Sequence, residues 1–473
     1  MSDRTGAPSI DRSAVLDAAR YFDRWLAFRQ RYDRIPGIQA AVLHGDEVVL
    51  SCAHGLADVE AGTPLTTRHL FRIASHSKTF TATAVLQLVD RGDLRLDDPV
   101  SRWLPFLAAS DLATVTVREL LGHGGGLVRD GWDGDFWQLH RSFPDAAELE
   151  RIAMDDAAVL SRNERFKYSN IGFSLLGMVV AAASAQRYDD YVRDHILGPL
   201  GLEDTGPDLD PARAEDYATG YSALAYADRR LPIDLVPTGA MASATGFYST
   251  ASDVVRYAAA HFHGDVRLLS EDAKRLAQRT EWEVAENQAY GLGFAVTKVG
   301  DRRLLGHGGG YPGHITFTMF DPVERVAVSV LTNAIDGGAR GMATAFVRLL
   351  DLAAKDGADP ADADLSSFRG RFANLWAVFD IADLGGRLYR MDPTVPDPVA
   401  EPERLAVVDP DTLRFEEASG YSSPGERLVY DRAADGTVRS VRGGSGMRSY
   451  PVDELTRAVD GRDRVTPAEP LLP

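Results

Sequence analysis

The alternation of apolar and polar positions switches repeatedly between a helical and a strand period along this chain. Near the start, Val15, Leu16, Ala19, Phe22, Trp25 and Leu26 recur at helical spacing, which predicts an amphipathic helix. Two apolar-rich runs follow, Gln39–Leu43 and Glu47–Cys52. His44-Gly45-Asp46 separates them, so they predict a β-hairpin. Helical spacing returns over Thr79–Asp90, where Phe80, Ala84, Val85, Leu88 and Val89 share a face and Gly92 supplies the stop. Asp145–Leu160 and Ile171–Ala183 predict further helices. The second is apolar nearly all round, the pattern of a buried helix. Ser252–His261 reads as another. From Leu292 to Thr332 the period shortens, and Phe294–Val296, Arg303–Leu305, Ile315–Phe320 and Val326–Leu331 predict strands. Gly338–Leu352 closes this region as a helix.

Helix and strands, then many helices, then strands, then a helix is the order of an α+β fold. It predicts an antiparallel sheet made from the two sequence ends of the region, flanked by helices, with a helical part inserted between them. Composition then shifts at Ala354–Asp364, where Ala, Asp, Gly and Pro dominate as in a linker. Beyond it, turn residues recur at short spacing, at Gly385-Gly386, Asp409-Pro410-Asp411, Ser423-Pro424-Gly425, Asp435-Gly436 and Gly443-Gly444. Between them, Arg387–Met391, Thr412–Glu416, Glu426–Tyr430 and Thr437–Arg442 predict the short strands of a small all-β barrel or sandwich. The expected division is a domain over residues 1–355, a linker over 356–364 and a small β domain over 365–473. The length, 473 residues, exceeds what one core ordinarily holds and agrees with two.

Net charge is −18. That excludes a nucleic-acid partner, which needs a basic face, and opposes adsorption to anionic membranes. Asp17, Arg20, Asp23 and Arg24 interrupt the first helix, so it does not read as a signal peptide, and no later run is long and apolar enough to span a bilayer. A cytoplasmic enzyme is the expectation. The single cysteine, Cys52, cannot form an intrachain disulfide and reads as a small buried hydrophobe.

Three motifs then bring in chemistry. Ser75-His76-Ser77-Lys78 puts a hydroxyl at a predicted helix start, where free N–H groups favour a developing oxyanion. Lys78, three residues on, shares its face and can take the Ser75 proton if burial lowers its pKa. Tyr168-Ser169-Asn170 precedes the apolar helix. A Tyr168 phenolate beside a lysine is a feasible base, and Asn170 can hold a substrate amide. His307-Gly308-Gly309 follows a predicted strand, and glycines there let a substrate backbone approach. Each motif has a plainer reading: Ser75 as an N-cap with a solvated Lys78, Asn170 as an N-cap, His307 on a Gly-rich turn.

Other patterns fall away. Gly308, Gly310 and Gly313 fit a dinucleotide fingerprint, but a strand follows instead of a helix. His123-Gly124-Gly125-Gly126 and His307–Gly310 mimic an α/β-hydrolase oxyanion loop, but no G-x-S-x-G elbow is present. His261 with His263, or His307 with His314, lacks the further ligands of a metal site. No metal and no cofactor is expected.

The ordered set resembles the serine β-lactamase/penicillin-binding-protein-like hydrolases, on the class C β-lactamase and D,D-peptidase side. Phe71–Lys78, Val117–Leu127, Phe166–Gly172, Tyr290–Phe294 and Gly306–His314 carry the resemblance, within residues 36–350. It implies that Ser75 is acylated, that Lys78 and Tyr168 share proton transfer, and that Asn170 holds a substrate amide. His307 stands where many relatives carry the lysine of a K-T-G motif, which weakens a β-lactamase reading. Gly309 and Gly310 would line the substrate edge, with the N–H groups of Ser75 and Gly310 as the oxyanion hole. The C-terminal segment is similar to lipocalin-like domains appended to some members. Arg442 and Arg448 there read as solvated, with a substrate carboxylate as the alternative. The resulting expectation is an acyl-transfer enzyme acting on esters, amides or small peptides. The alternatives are a penicillin-binding-protein-type thioesterase that releases and cyclises a nonribosomal peptide delivered by a carrier protein, and a non-catalytic binding module.

Overall fold

A computed structural model of the chain describes residues 10–155, 157–355, 364–420, 423–443 and 446–460. The expected linker lies outside the described residues except for Asp364, as do Gly444 and Ser445 of the last Gly-rich turn. The chain divides into two compact units, one of Met1–Arg12 with Phe22–Arg348, the other of Ser13–Tyr21 with Leu349–Pro473. The start of the first helix, α1 (Arg12–Tyr32), therefore sorts with the C-terminal part. The Tyr21 hydroxyl donates to Asp380 Oδ2 at 3.0 Å, and Asp17 Oδ2 accepts from the Gly385 N–H at 3.1 Å.

The first unit is built on a nine-stranded sheet. Its strands are β1 (Gly37–His44), β2 (Glu47–Asp58), β3 (Thr63–Pro64), β4 (Trp282–Ala285), β5 (Gln288–Tyr290), β6 (Ala295–Val299), β7 (Arg302–Tyr311), β8 (His314–Asp321) and β9 (Val326–Thr332). They lie in the order β3-β2-β1-β9-β8-β7-β6-β5-β4, and neighbours pair antiparallel. The join between the two sequence ends is β1 against β9, with Ile38 opposite Thr332 and His44 opposite Val326. These central strands are covered on both faces, which is why β1 and β9 read as apolar runs without alternation.

The helices between β3 and β4 include α2 (Ser77–Arg91), α3 (Asn170–Ser184) and α4 (Ala251–Ala259), and α5 (Ala339–Ala353) follows β9. Gly92 ends α2 with φ 79°, a left-handed cap. Ser169, extended at φ −141° and ψ 121°, caps α3 by accepting the Gly172 N–H. The cap is thus Ser169, and Asn170 is the first helical residue. Phe80 of α2 stacks on Tyr257 of α4 at 3.8 Å between ring centroids and on Phe247 at 4.5 Å. The predicted helix Asp145–Leu160 is shorter, Ala146–Asp155. Val159 and Leu160 instead donate to the Gly126 carbonyl. Among the described residues no helix is long and apolar enough to cross a membrane.

The second unit holds a closed eight-stranded barrel, β10 (Gly370–Ala373), β11 (Val378–Leu384), β12 (Arg387–Met391), β13 (Glu403–Asp409), β14 (Thr412–Glu417), β15 (Arg427–Arg432), β16 (Val438–Gly443) and β17 (Arg448–Pro451). Strand alternation fills it: Leu428 and Tyr430 of β15 point inward while Arg427 and Val429 are exposed. A cavity of about 950 Å³ remains at one end, with Phe379, Met391, Phe415 and Leu428 in its wall. Arg442 and Arg448 are exposed, and Arg442 donates to the Gly446 carbonyl at 2.9 Å.

Candidate active site

Ser75 is the one partly exposed residue in the otherwise buried run Phe71–Phe80. It occupies a single 3₁₀ turn, Ala74–His76, that leads into α2. Ala74 carries φ 47°, a left-handed conformation that is strained for a residue with a side chain. Two braces hold it. Ser77 Oγ donates to the Ala74 carbonyl at 2.5 Å and accepts from the Phe247 N–H at 3.0 Å. His76 donates from Nδ1 to the Ile73 carbonyl at 2.9 Å, and its Nε2 accepts from Thr318 Oγ1 at 2.9 Å. Burial holds the His76 pKa down at about 4, so the imidazole is neutral. Among the described residues the Ser75 N–H has no acceptor, so it is free to meet an oxyanion.

Lys78 follows one helical step later and has no accessible surface. Its Nζ touches three oxygens: Asn170 Oδ1 at 2.7 Å, the Ala244 carbonyl at 2.7 Å and Ser75 Oγ at 3.2 Å. The first two can only accept. Burial drives the Lys78 pKa well below that of a free lysine, Arg129's charge adds to the shift, and Asp130's opposes it. Nζ donates to all three oxygens, at the shorter distances to the two carbonyl-type oxygens and at the longer to the Ser75 hydroxyl, and loss of one proton would leave a lone pair able to face that hydroxyl.

Tyr168 reaches the same hydroxyl from the other side. Its OH donates to Ser75 Oγ at 2.8 Å. Burial raises the phenol pKa well above its ordinary value, against the weaker opposite pull of the Ser75 hydrogen bond. The direction of that shift disfavours the phenolate that the sequence offered as a feasible base. Tyr168 O–H and Lys78 Nζ thus both donate to Ser75 Oγ.

Asn170 lies beside Lys78 in the same set. Its Oδ1 accepts from Lys78, and its Nδ2 donates to Asp130 Oδ1 at 2.6 Å. Both ends of the amide are held inside the protein, so it positions Lys78. Asp130 in turn pairs with Arg129 at 3.2 Å, and the Arg129 guanidinium lies 5.2 Å from the Tyr168 ring centre.

His307 lies in the wall but outside this hydrogen-bonded set. Its Nδ1 donates to the Gly308 carbonyl at 2.7 Å, and its Nε2 accepts from the Tyr290 hydroxyl at 3.2 Å. Burial lowers its pKa to about 3, so it is a neutral ring, not a stand-in for a lysine cation. His123 is also buried, with Phe166, Tyr168, Phe173 and Tyr290 rings packed 4.4–5.5 Å from it. Its Nδ1 accepts from the Ser169 N–H at 3.1 Å and so fixes the backbone between Tyr168 and Asn170.

The glycine motif is strand, not turn. Gly308, Gly309 and Gly310 of β7 sit opposite Phe317, Thr316 and Ile315 of β8. On the other side, β6 pairs with β7 only as far as Gly306. His307–Tyr311 therefore present an edge with no strand partner among the described residues, where an extended substrate can lie. A side chain at Gly309 would meet the Ile73 carbonyl at 2.1 Å, because this edge runs against the Ser75 turn. Asp130 and the Ala244 carbonyl are the parts that sequence reading missed, and Tyr290 stood in a motif stretch without an assigned role.

The comparison with known families decides what such a site belongs to. The model of the family described as Beta-lactamase matches residues 22–352. The chain belongs to the beta-lactamase family of serine hydrolases. Among curated members, penicillin-binding protein 4* of Bacillus subtilis (strain 168) is 29% identical over 303 residues, and the alignment covers 61% of this chain and 66% of that one, just under two-thirds of its length. Esterase EstB of Burkholderia gladioli is 32% identical over 397 residues, covering 72% of this chain and 98% of the esterase. Among solved structures, the octameric penicillin-binding protein homologue from Pyrococcus abyssi aligns over 91% of this chain and 99% of its own with a TM-score of 0.64; at 23% identity that likeness concerns the fold. D-amino acid amidase from Ochrobactrum anthropi SV3, complexed with D-phenylalanine, aligns over 71% of this chain and 99% of its own, with 26% identity and a TM-score of 0.63. This beta-lactamase family member thus has relatives named for ester and for amide chemistry.

Proposed function

We propose that the chain is an acyl-transfer hydrolase that forms an acyl-enzyme on Ser75, with small esters and D-amino-acid amides as its substrate class. The observation that carries this is the position of Ser75 Oγ, 2.8 Å from the Tyr168 hydroxyl and 3.2 Å from the buried Lys78 amine. Ser75 attacks the acyl carbon and passes its proton to Lys78 Nζ. The oxyanion takes the Ser75 N–H. Tyr168 gives its proton to the leaving amine or alcohol, and the Lys78 proton replaces it. Water then repeats the sequence on the acyl-enzyme. The amide preference rests on the likeness to an amidase crystallised with D-phenylalanine. A neutral His307 in place of a fixed cation weighs against a β-lactam carboxylate as the ligand.

The test is intact-mass labelling with a fluorophosphonate, alongside hydrolysis of D- and L-phenylalanine amides and a p-nitrophenyl ester. The expected result is one adduct, absent from Ser75→Ala, and cleavage of the ester and the D-amide. Absence of an adduct would favour the binding module. Acyl transfer to an added amine in preference to water would favour the cyclising thioesterase.

A further inference from the structure

Away from the Ser75 cleft, three side chains with three kinds of donor atom converge where α1 meets β2. Asp23 comes from α1. Cys52 and His54 lie two apart on β2, so the extended backbone sends both side chains to one face. One ligand atom from each, a carboxylate oxygen, a sulfur and a ring nitrogen, lies within 4.8 Å of the other two. His54 Nε2 is 2.8 Å from Asp23 Oδ1, and Cys52 hydrogen-bonds to the same carboxylate. All three are half-buried, so they are fixed by packing yet open to a solute.

The geometry points to a binding site for a divalent ion of the zinc type, held by Asp23, Cys52 and His54. Sulfur and imidazole donors select a borderline-soft ion over magnesium or calcium, which take oxygen. Three protein ligands leave the fourth tetrahedral position to water. On binding, the thiol releases its proton to solvent, the imidazole coordinates through Nε2 with its own proton on Nδ1, and a carboxylate oxygen completes the set. One proton leaves per ion. The site shares no residue with the Ser75 cleft, so its role is mechanical. β3 covers β2 only from Leu56 to Asp58, which leaves most of β2 as the outer strand of the sheet. The ion clips α1 onto that strand.

The test uses the tag-free full-length protein, stripped by a chelator and dialysed. Zinc chloride is titrated in by calorimetry, and cobalt(II) by absorbance. The expected result is one ion per chain and a cobalt adduct with a thiolate-to-metal charge-transfer band in the near ultraviolet. Cys52→Ser removes that band. His54→Gln weakens zinc binding at least about tenfold. Zinc raises the Tm of the native chain and not that of the Cys52→Ser/His54→Gln double variant. Circular dichroism checks that each variant folds, and Asp23→Asn is the substitute where one does not. Failure to bind one equivalent, a cobalt spectrum without the thiolate band, or uptake unchanged in the double variant would overturn the proposal.

Discussion

Two lysines in the first unit have no accessible surface, and the oxygens around them explain why only one sits at a cleft. Lys274, in the helix Glu271–Gln278, donates to the carbonyls of Phe262 and Asp265 and to the Glu271 carboxylate. All three partners are acceptors, which is what an ammonium's three N–H groups require. Lys78 also has two acceptors of that kind, but its third neighbour is a hydroxyl that can donate back. Exchanging one carboxylate for one hydroxyl replaces a buried ion pair that holds a loop with a contact to the candidate nucleophile. Burial alone therefore does not mark a functional lysine; the identity of the third partner does.

The largest effects come from removing each lysine in turn. Lys78→Met, like Ser75→Ala, is expected to lower kcat/KM for the p-nitrophenyl ester by at least about 10⁴-fold. Lys274→Met is expected to leave kcat of the folded protein unchanged and to lower stability by about 3 kcal/mol, because it strands a carboxylate and two buried carbonyls. Thermal melts and steady-state kinetics on both variants read this crossing directly. Equal kinetic losses for the two would erase the distinction.

Tyr168→Phe comes next. It keeps the ring against His123 and Arg129 but removes the donor to Ser75, and a loss of about a hundredfold in kcat is expected. A rate within a few-fold of the native chain would show that the leaving group finds its proton elsewhere.

The pH profile sharpens the comparison without a mutation. The amine accepts a proton only when neutral, so kcat/KM must fall as pH drops through the depressed Lys78 pKa. Tyr168, held above the ordinary phenol value, stays protonated through the alkaline range, so the profile stays flat there. An acid limb centred near the free-lysine value of about 10.4 would contradict the neutral amine. Stability has a linked sign. Between the depressed and the free value the unfolded chain binds a proton that the folded chain does not, so the Lys78 contribution makes stability rise with pH in that window.

What the sequence made legible follows from how local each signal is. Ser75 and Lys78 are one helical step apart, so their meeting needed only a helix. Regular turn residues announced the strands after residue 365, yet whether they close into a barrel depends on pairing β10 with β17, which no local pattern states. Gly308–Gly310 left a substrate-pairing edge and a plain turn both open in sequence; pairing with Ile315–Phe317 makes the segment strand. The phenolate offered as a base at Tyr168 needs a cation beside it, and only tertiary burial, which raises the phenol pKa and lowers that of Lys78, weighs against it. The Ala244 carbonyl is backbone and leaves no trace in residue type. Asp130, beside Arg129, looks in sequence like any surface ion pair.

Asp130 therefore gives the smallest and most discriminating prediction. It touches neither Ser75 nor Lys78 in the hydrogen-bonded set. Besides its charge, which favours the protonated lysine, it acts through Asn170, whose Nδ2 it holds so that Oδ1 faces the lysine. Asp130→Asn can present its own amide N–H to Asn170 and let that side chain turn over. Lys78 Nζ would then meet an N–H where it had an acceptor, and its lone pair would be drawn away from Ser75. The expected outcome is a loss of about tenfold in kcat with KM unchanged, the mark of a positioning residue. Asn170→Asp, which offers Lys78 a carboxylate acceptor in either orientation, should favour the charged lysine and move the acid limb of the profile to higher pH. An unmoved limb in Asn170→Asp would mean that the lysine's partners do not set its protonation, and the contrast between the two lysines would rest on solvent access alone.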